Sequence, residues 1–374
     1  MAEAVESRNR EVEASVEPLT PVPETVTVPR CAVPKHVREA NKTNGIPNPF
    51  ATLHNTHKPV QFWQILKIVF IPLQLLRFAV ILLDLMIACP LSKIVLFGCD
   101  LEKGGPPTGF RGFVFRSLAR KMARLYLFMM GYWNIKHVNR HNEDKTASLI
   151  VSNHVSGADA VLLMSQLVPA FVAKSEVRDW LFFGTLATAL RSLFVERKVD
   201  KKVPGAMTGT EAIANRVQNA KPSDPPLVIF PEGTTTNQTG VLPFKSGAFR
   251  AGVPCQPIVL RYFWAFTDQS DACRDTILCG IRLCREFFNR VEIEWLPMYH
   301  PSQEEKENPT LYAENVRTLI ATSMGVEKVP FSFTDKQVYL GKKPLSAGCP
   351  QWLESFGEAR KYPDNILDSL FGFI

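Results

Sequence analysis

The sequence lacks the signals that mark a metal site or a disulfide framework. Its 374 residues include eight cysteines, but no Cys-x-x-Cys pair and no cysteine–histidine spacing typical of zinc. We therefore expect free thiols in a reducing compartment and chemistry that needs no metal. The first residues are rich in glutamate and lack an apolar core, so we expect no cleaved signal peptide and look for membrane attachment elsewhere.

The sequence also lacks an uncharged apolar run of the roughly 18 residues that a plain membrane-spanning helix requires. The segment from Gln61 to Phe97 is strongly apolar, but four charged residues interrupt it: Lys67, Arg77, Asp84 and Lys93. Pro72 and Pro90 add potential breaks. We predict a kinked, membrane-attached helical hairpin here, in preference to a true span or to a buried helix of a soluble enzyme.

The sequence has no strong excess of one charge sign, since it contains 43 lysines and arginines and 36 aspartates and glutamates. The formal charge of +7 suits anionic lipid headgroups, a phosphate-bearing substrate or nucleic acid, and composition does not choose among them. Apolar residues make up 46% of the chain, with 25 phenylalanines, which is more than a soluble enzyme needs. The composition therefore favours a protein that binds a membrane peripherally or inserts shallowly.

After the apolar segment, the stretch from Phe110 to Trp133 has the pattern of a basic amphipathic helix. Arginines recur every fourth residue at Arg116, Arg120 and Arg124. A second set of residues forms the predicted apolar face: Leu118, Met122, Leu125 and Met129. Such a basic stripe is either a solvated face or a membrane-surface contact, and the adjoining hairpin favours the membrane.

Four regions follow from these patterns. Residues 1–58, rich in Pro, Thr, Glu and Asn, are predicted to be a disordered tail remote from the chemistry. Residues 59–135 form the membrane-associating helical region, 136–300 the main domain and 301–374 a C-terminal extension. Within 136–300, short β-rich runs at 147–152, 170–173, 193–195, 227–230, 257–262 and 291–295 alternate with helical stretches such as 203–219 and 272–289. This alternation predicts an α/β domain.

Asn153, His154 and Asp159 lie directly after a predicted buried strand and before a helical run, where α/β enzymes place active groups. Residues five apart on a helix point away from each other, so a His–Asp hydrogen bond requires a bend, which Gly157 can supply. Asp159 would then orient a histidine that acts as a general base. The alternative is a structural loop histidine, with Asp159 complementing the helix dipole.

Three further groups follow later strands. The run from Phe230 to Asn237 contains Glu232, Gly233, Thr234 and Thr235, and its hydroxyls and backbone N–H groups can bind an anion. Arg197 follows another strand, and its planar guanidinium suits a phosphate. Lys245, in Phe244-Lys-Ser-Gly247, adds a cation. Taken singly, the run after the strand could be an ordinary polar turn, and a lone arginine is more often a surface charge.

Together, these blocks resemble the glycerophospholipid acyltransferases, which share Asn-His-x-x-x-x-Asp, Phe-x-x-Arg, Pro-Glu-Gly-Thr and Pro-x-x-Pro blocks in this order. The sequence is most similar to the lysophosphatidylcholine and lysophosphatidylethanolamine acyltransferases, through residues 230–237, 244–249, 291–294, 299–306 and 311–317. The similarity covers about 48–335. Many members have glycine where this chain has Arg191 and arginine where it has Thr235, which questions a phosphate-clamp role for Thr235.

The resemblance implies an α/β fold with a mixed sheet flanked by helices, preceded by a membrane-attached helical hairpin. It implies His154 and Asp159 as catalytic residues, with backbone N–H groups at the helix start available for the thioester oxyanion. The implied substrate-binding residues are Asn153, Arg197, Glu232, Gly233, Thr234, Thr235 and Lys245. Acyl-CoA is then a co-substrate, the acceptor is a lysophospholipid, and no cofactor, metal or nucleic acid is expected.

Several alternatives stay open. The acceptor could be lysophosphatidic acid, or the donor could be acetyl-CoA used to acetylate an ether lipid. A hydrolase could use the same residues, although Ser156 lacks the Gly-x-Ser-x-Gly context of a nucleophile, and a non-enzymatic membrane-binding protein is a third class. We expect the endoplasmic reticulum membrane, or else lipid droplets or the Golgi, with the catalytic domain facing the cytosol. Asn237-Gln-Thr239, a formal glycosylation acceptor, should then be unmodified.

Overall fold

A computed structural model of the chain describes residues 31–43, 45–51, 71–99, 107–179, 183–195, 208–263, 268–271, 283 and 286–340. Its helices are α1 Lys35–Ala40, α2 Ile71–Leu96, α3 Gly109–Met129, α4 Ala158–Leu167, α5 Phe183–Ala189, α6 Gly209–Gln218, α7 Gln303–Glu307, α8 Pro309–Met324 and α9 Phe333–Tyr339. Its strands are β1 Lys42–Thr43, β2 Ile46–Pro47, β3 Ile135–Val138, β4 Leu149–Ser152, β5 Ala170–Lys174, β6 Leu193–Val195, β7 Leu227–Ile229, β8 Gly240–Val241, β9 Gln256–Phe263, β10 Arg290–Trp295 and β11 Glu327–Lys328.

Seven strands form the main sheet in the order β3-β10-β9-β4-β7-β5-β6. Neighbouring strands are parallel except β9 and β10, which are antiparallel, so the sheet is mixed. The central strands β4, β7 and β9 are buried almost throughout, as their continuous apolar runs require of strands covered on both faces. The predicted α/β fold with a mixed sheet is confirmed.

Side chains of β4 alternate between two hydrophobic cores on opposite faces of the sheet. Leu149 and Val151 pack in the core that α6 and α8 cover, whereas Ile150 packs in the core that α3 and α4 cover. The alternation follows from the two-residue period of a strand. Helices therefore flank both faces and leave the strand ends for the loops that carry chemistry.

The six strands predicted from β-rich runs are all present, each within two residues of its predicted ends. Strand β3, which pairs with β10 at the sheet edge, was not predicted, because its sequence Ile135-Lys-His-Val138 is short and polar in part. Strands β8 and β11 form a separate two-stranded sheet. Helix α6 covers 209–218 of the predicted 203–219. The predicted helix 272–289 is wrong at its end, because residues 286–289 are not helical, and 272–282 and 284–285 lie outside the described residues.

Helix α2 runs through Pro90 over 26 residues, so the break predicted at this proline is wrong. The helix pairs with α3, and the two run antiparallel. Arg111, at the start of α3, donates to the Val95 carbonyl at the end of α2, whereas Ile81 packs with Leu127 near the end of α3. Residues 72–96 are long and apolar enough to cross a membrane. The part of the predicted hairpin before residue 71 lies outside the described residues.

Helix α3 buries a different face from the one predicted. Its buried residues are Gly112, Phe115, Ala123 and Leu127, whereas Leu125 of the predicted apolar face is exposed. Apolar side chains occur all round this helix, so periodicity did not identify the core-facing side. Two arginines of the predicted basic stripe bind backbone carbonyls: Arg116 donates to Pro107, and Arg124 donates to Tyr132 and Trp133. Arg120 is exposed.

The segments on both sides of the predicted domain pack against it. Residues 31–51 were assigned to a disordered tail, but they form α1 and the β1–β2 hairpin and bury Phe50. The predicted C-terminal extension contributes Tyr312, Val316 and Ile320 of α8 to the core beneath the sheet. The predicted disorder is wrong for residues 31–43 and 45–51, because their few apolar residues show no helical or strand periodicity. Residues 1–30, 52–58 and 341–374 lie outside the described part of the chain.

Candidate active site

His154 and Asp159 meet at the carboxyl end of β4, in the turn that leads into α4. His154 Nδ1 lies 2.8 Å from Asp159 Oδ2, so the turn supplies the bend that five-residue spacing requires. The same carboxylate oxygen accepts the backbone N–H groups of Val155 at 2.7 Å and Ser156 at 3.1 Å. Asp159 therefore builds the turn as well as holding the imidazole. We call this pair the dyad.

The second oxygen of Asp159 is held by a tyrosine from β9. The Tyr262 hydroxyl donates to Asp159 Oδ1 at 2.5 Å, and both side chains are fully buried. Burial and then the neighbouring Asp159 charge raise the pKa of Tyr262 well above its usual value, so the hydroxyl stays a donor. The Tyr132 ring packs edge-on against Tyr262, with centroids 5.9 Å apart. Asp159 is thus fixed from both sides.

The His154 ring is oriented so that one nitrogen can serve a substrate. It stacks on Phe230 with ring centroids 4.2 Å apart and planes 15° apart. Because Asp159 accepts from Nδ1, this nitrogen carries the proton, and Nε2 has the lone pair. The side chain is 23% exposed. A substrate hydroxyl can therefore approach Nε2 and give up its proton there.

Glu232 lies next to His154, and its carboxylate accepts hydrogen bonds from backbone N–H groups. Its two carboxylate oxygens accept the N–H groups of His154 and Leu242, each at 3.0 Å. Burial raises the pKa of Glu232 to about 7, although these two hydrogen bonds favour the ionised form. The contacts indicate that Glu232 positions the dyad, and its predicted substrate contact stays a prediction.

Asn153 also holds the framework of the site. Its amide nitrogen donates to the Leu260 carbonyl at 2.9 Å, and its amide oxygen accepts the Leu260 N–H at 2.8 Å. The side chain is buried between β4 and β9. These two reciprocal hydrogen bonds help to fix the register of β4 relative to β9. Direct binding of substrate by Asn153 stays a prediction.

The loop after β7 brings together the remaining predicted residues of the Pro-Glu-Gly-Thr block. Gly233 has φ +69°, and a Cβ at this position would lie 2.5 Å from Lys245 Nζ, so glycine permits the lysine to approach. Thr234 is buried, and Thr235 is partly exposed. The Thr236 N–H donates to the His154 carbonyl at 2.9 Å. The loop thus lies beside the dyad, with Lys245 against Gly233, and the substrate contacts of both stay predictions.

Arg197 lies outside the described residues, so its predicted phosphate contact stays a prediction. Arg191, the departure from glycine, has φ +56°, a left-handed conformation that glycine adopts without strain. Its guanidinium donates to the buried Asp224 carboxylate at 3.0 Å. This ion pair holds the Arg191 side chain against Asp224.

The backbone donors expected to bind the oxyanion are already engaged. The N–H groups of Val155 and Ser156 bind Asp159, and that of Gly157 donates to Asp271 at 2.9 Å. The Ala158 N–H donates to Ser156 Oγ at 3.3 Å. The predicted oxyanion site at the helix start is therefore wrong, because these amides close the turn. Ser156 is buried and accepts this bond, which argues against a nucleophile.

Three residues of this site were missed by the sequence analysis: Tyr262, Asp271 and Lys336. Tyr262 sits in a strand whose apolar run predicts a core tyrosine. Asp271 and Lys336 lie in segments without a motif, and only the folded chain brings them to the loop at Thr235. Among the described residues, no group of three or more His, Cys, Asp or Glu side chains could hold a metal ion.

Comparison with known proteins identifies the family. The acyltransferase family model matches residues 134–261. Lysophosphatidylcholine acyltransferase 1 of Homo sapiens is 36% identical over 282 residues, which cover 73% of this chain and 50% of that protein. Lysophospholipid acyltransferase LPEAT1 of Arabidopsis thaliana is 38% identical over 202 residues, covering 53% of this chain and 50% of that protein. The chain spans about half the length of these curated relatives.

A solved structure is also similar, the 1-acyl-sn-glycerophosphate acyltransferase PlsC of Thermotoga maritima. It is 17% identical with a TM-score of 0.45, and the match covers 69% of this chain and 98% of that one. This likeness is too weak to carry an argument. The sequence similarity to the curated proteins and the matched domain are sufficient, and the chain belongs to the glycerophospholipid acyltransferase family that its motifs predict.

Proposed function

We propose that the chain transfers a fatty acyl group from coenzyme A to the free glycerol hydroxyl of a lysophospholipid. The observation that carries this proposal is the dyad, in which Asp159 binds Nδ1 of His154 and leaves Nε2 as the base. The names of the relatives, lysophosphatidylcholine and lysophospholipid acyltransferases, support lysophosphatidylcholine or lysophosphatidylethanolamine as the acceptor. Lysophosphatidic acid, or acetyl-CoA with an ether lipid, is the alternative substrate set.

In this mechanism His154 Nε2 accepts the hydroxyl proton while the hydroxyl oxygen forms a bond to the thioester carbonyl carbon. Asp159 stabilises the imidazolium that results. The tetrahedral intermediate then expels the coenzyme A sulfur as the carbon–sulfur bond breaks, and the imidazolium returns its proton to that thiolate. No acyl-enzyme forms, and the base is regenerated. Acyl-CoA is a co-substrate in this scheme, and no step uses a resident cofactor or a metal.

Membrane attachment of the enzyme is supported by the exposed surface of the helical pair. Large apolar side chains of α2 are widely exposed, including Met86 at 73% and Ile94 at 68%. An aromatic cluster continues this surface beside the sheet: Phe128, Trp133, Phe287 and Phe288, with Trp133 and Phe288 rings 4.6 Å apart. Exposed apolar area of this extent is typical of a lipid contact.

We place the protein in the endoplasmic reticulum membrane with the catalytic domain in the cytosol, where acyl-CoA is available; lipid droplets or the Golgi are alternatives. The glycosylation acceptor Asn237 gives no information on this topology. Asn237 is fully buried, and its amide nitrogen donates to the Asn48 and Ala51 carbonyls, each at 2.8 Å. It would be unmodified on either side. Protease accessibility of the domain in sealed microsomes is the informative test.

The decisive experiment follows thiol release from acyl-CoA with and without lysophospholipid, with products identified by mass. We expect acceptor-dependent release and a new diacyl product. His154→Ala should lower turnover by about 100-fold or more, because the general base is lost, while membrane association persists. His141→Ala, which removes an exposed histidine remote from the dyad, should behave as wild type. Release without acceptor would indicate a hydrolase, and no release would indicate a binding protein.

A further inference from the structure

One buried cation connects the C-terminal part of the described chain to the candidate site. Lys336, on α9, is only 6% exposed. Its Nζ donates to Thr235 Oγ1 at 2.7 Å and to the Thr235 carbonyl oxygen at 2.9 Å. Lysine is rarely buried to this extent unless nearby groups compensate its charge. The position of Lys336 against the Pro-Glu-Gly-Thr loop therefore indicates a role in the site.

Helix α9 is held firmly enough to place this lysine. A capping box between Ser332 and Asp335 fixes its first turn. Phe331 and Val338 are buried, and the Phe331 and Tyr339 rings pack against Phe50. The lysine is thus placed by packing at both ends of its helix, unlike a flexible surface lysine.

The contact continues from Thr235 to the backbone of Asp271, whose carboxylate is buried. Thr235 Oγ1 donates to the Asp271 carbonyl oxygen at 3.2 Å, and Asp271 Oδ2 accepts the Gly157 N–H at 2.9 Å. The Asp271 N–H also donates to the Val155 carbonyl at 3.2 Å. Val155 and Gly157 lie in the turn inside the dyad. A chain of hydrogen bonds therefore runs from α9 to the catalytic turn.

Asp271 also places negative charge near the imidazole. Burial raises the pKa of Asp271, Asp159 raises it further, and the charges of His154 and Lys336 lower it. Its Oδ1 is buried with no hydrogen-bond partner among the described residues. An ionised carboxylate in this position depends on nearby positive charge. Lys336 provides that charge in the resting enzyme, and the imidazolium provides it during transfer.

We propose that Lys336 and Asp271 are positioning residues for His154, and that helix α9 thereby completes the catalytic site. The proposal rests on the proposed acyl transfer. Asp271 supports the imidazolium that forms when His154 accepts the hydroxyl proton. Lys336 holds the loop at Thr235 and keeps Asp271 ionised.

Other titratable groups face these residues from neighbouring elements. They are Asp159 of α4, Glu232 after β7 and Tyr262 of β9, with Arg317 of α8 facing Glu232. All four are unchanged in the variants below. A difference in pH dependence between those variants is therefore due to the exchanged charge.

The test measures acyl transfer by the full chain in detergent across pH. Lys336→Met should lower kcat roughly 10- to 100-fold with little change in either KM, because the base is misplaced while binding persists. Loss of the cation makes protonation of Asp271 and His154 easier, so the acid limb of the kcat profile should move to higher pH. Asp271→Asn removes a negative charge beside the imidazolium, so its acid limb should move to lower pH.

Two further variants complete the set. Lys336→Arg keeps the charge and should keep the acid limb of the wild type. Lys328→Met makes the same substitution at an exposed lysine of β11 that pairs with Glu314 and should leave all parameters unchanged. Thermal midpoints are measured for each variant, and the near-isosteric Asp271→Asn decides the question if Lys336→Met does not fold.

Acid limbs that coincide with the wild type in Asp271→Asn and in folded Lys336→Met would overturn the inference and leave Lys336 a structural residue. A loss in Lys336→Met that appears only as a raised KM for lysophospholipid would also overturn it. Absence of acyl transfer by the wild-type chain is a different outcome, since it would refute the proposed function itself.

Discussion

At the residue scale, the dyad owes its geometry to a turn that its own carboxylate closes. Asp159 Oδ2 binds the His154 ring and two backbone N–H groups, so imidazole orientation and turn shape are set together. The motif predicted this pair because the two residue types flank a glycine between a strand and a helix. It could not predict Tyr262, whose hydroxyl reaches Asp159 from a strand 103 residues later.

Tyr262→Phe tests the support from that strand. Hydrogen bonds to charged groups contribute about 1.5–3 kcal/mol. If the variant loses all of this free energy in the transition state, kcat falls roughly 10- to 100-fold. KM should change little, since the buried hydroxyl binds Asp159. Steady-state kinetics with both substrates provide the measurement.

The matched control is Tyr299→Phe, which removes a tyrosine–carboxylate hydrogen bond to Glu305 outside the site. It should lower stability without a specific loss of kcat. A Tyr262→Phe enzyme with wild-type kcat would show that Asp159 needs no second donor.

At the element scale, the helical pair shows how a charged residue can mislead a search for membrane segments. Arg77 and Asp84 interrupt the apolar run of α2, yet both are buried against the protein. Arg77 donates to the Glu286 carbonyl at 2.9 Å. The helix can therefore present an apolar face outward while its charges face the domain. Sequence predicted an apolar helical element but not its length or its core-facing side, because those depend on tertiary contacts.

The double substitution Met86→Asp and Ile94→Asp tests the outward face of α2. Charges at these exposed positions should each cost about 2.5–3.5 kcal/mol in the bilayer interior. We expect the variant to be extracted from membranes by alkaline carbonate, whereas the wild type stays in the pellet. Lys121→Asp, at an exposed charged position of α3, should remain in the pellet as well. Retention of the double variant would exclude this face from the bilayer.

At the scale of the whole molecule, segments from both sides of the domain meet at the Pro-Glu-Gly-Thr loop. Phe50 packs with Leu242, Val329 and Phe331. The Asn237 N–H and side chain bind the backbone of residues 48–51. Residues 48–51, which the sequence predicts to lie in a remote tail, are therefore part of the scaffold behind the loop.

Phe50→Ala should lower the free energy of unfolding by about 3–5 kcal/mol, because it leaves a cavity between the two segments. The thermal midpoint in detergent, followed by intrinsic fluorescence, provides the measurement. Phe110→Ala, at a largely exposed position, should leave the midpoint nearly unchanged. Equal midpoints for both variants would mean that the 45–51 segment contributes little to the fold.

By itself, the sequence determined the α/β class, the six predicted strands, the family and the dyad. Each of these depends on local order: two-residue periodicity, apolar runs, and residue types at fixed spacing around a turn. Tertiary structure alone decided that Asn153 and Glu232 bind backbone, and that Asn237 is buried. It also placed Lys336 at Thr235, 101 residues away, since hydrogen bonds between distant segments exist only after packing brings their partners together.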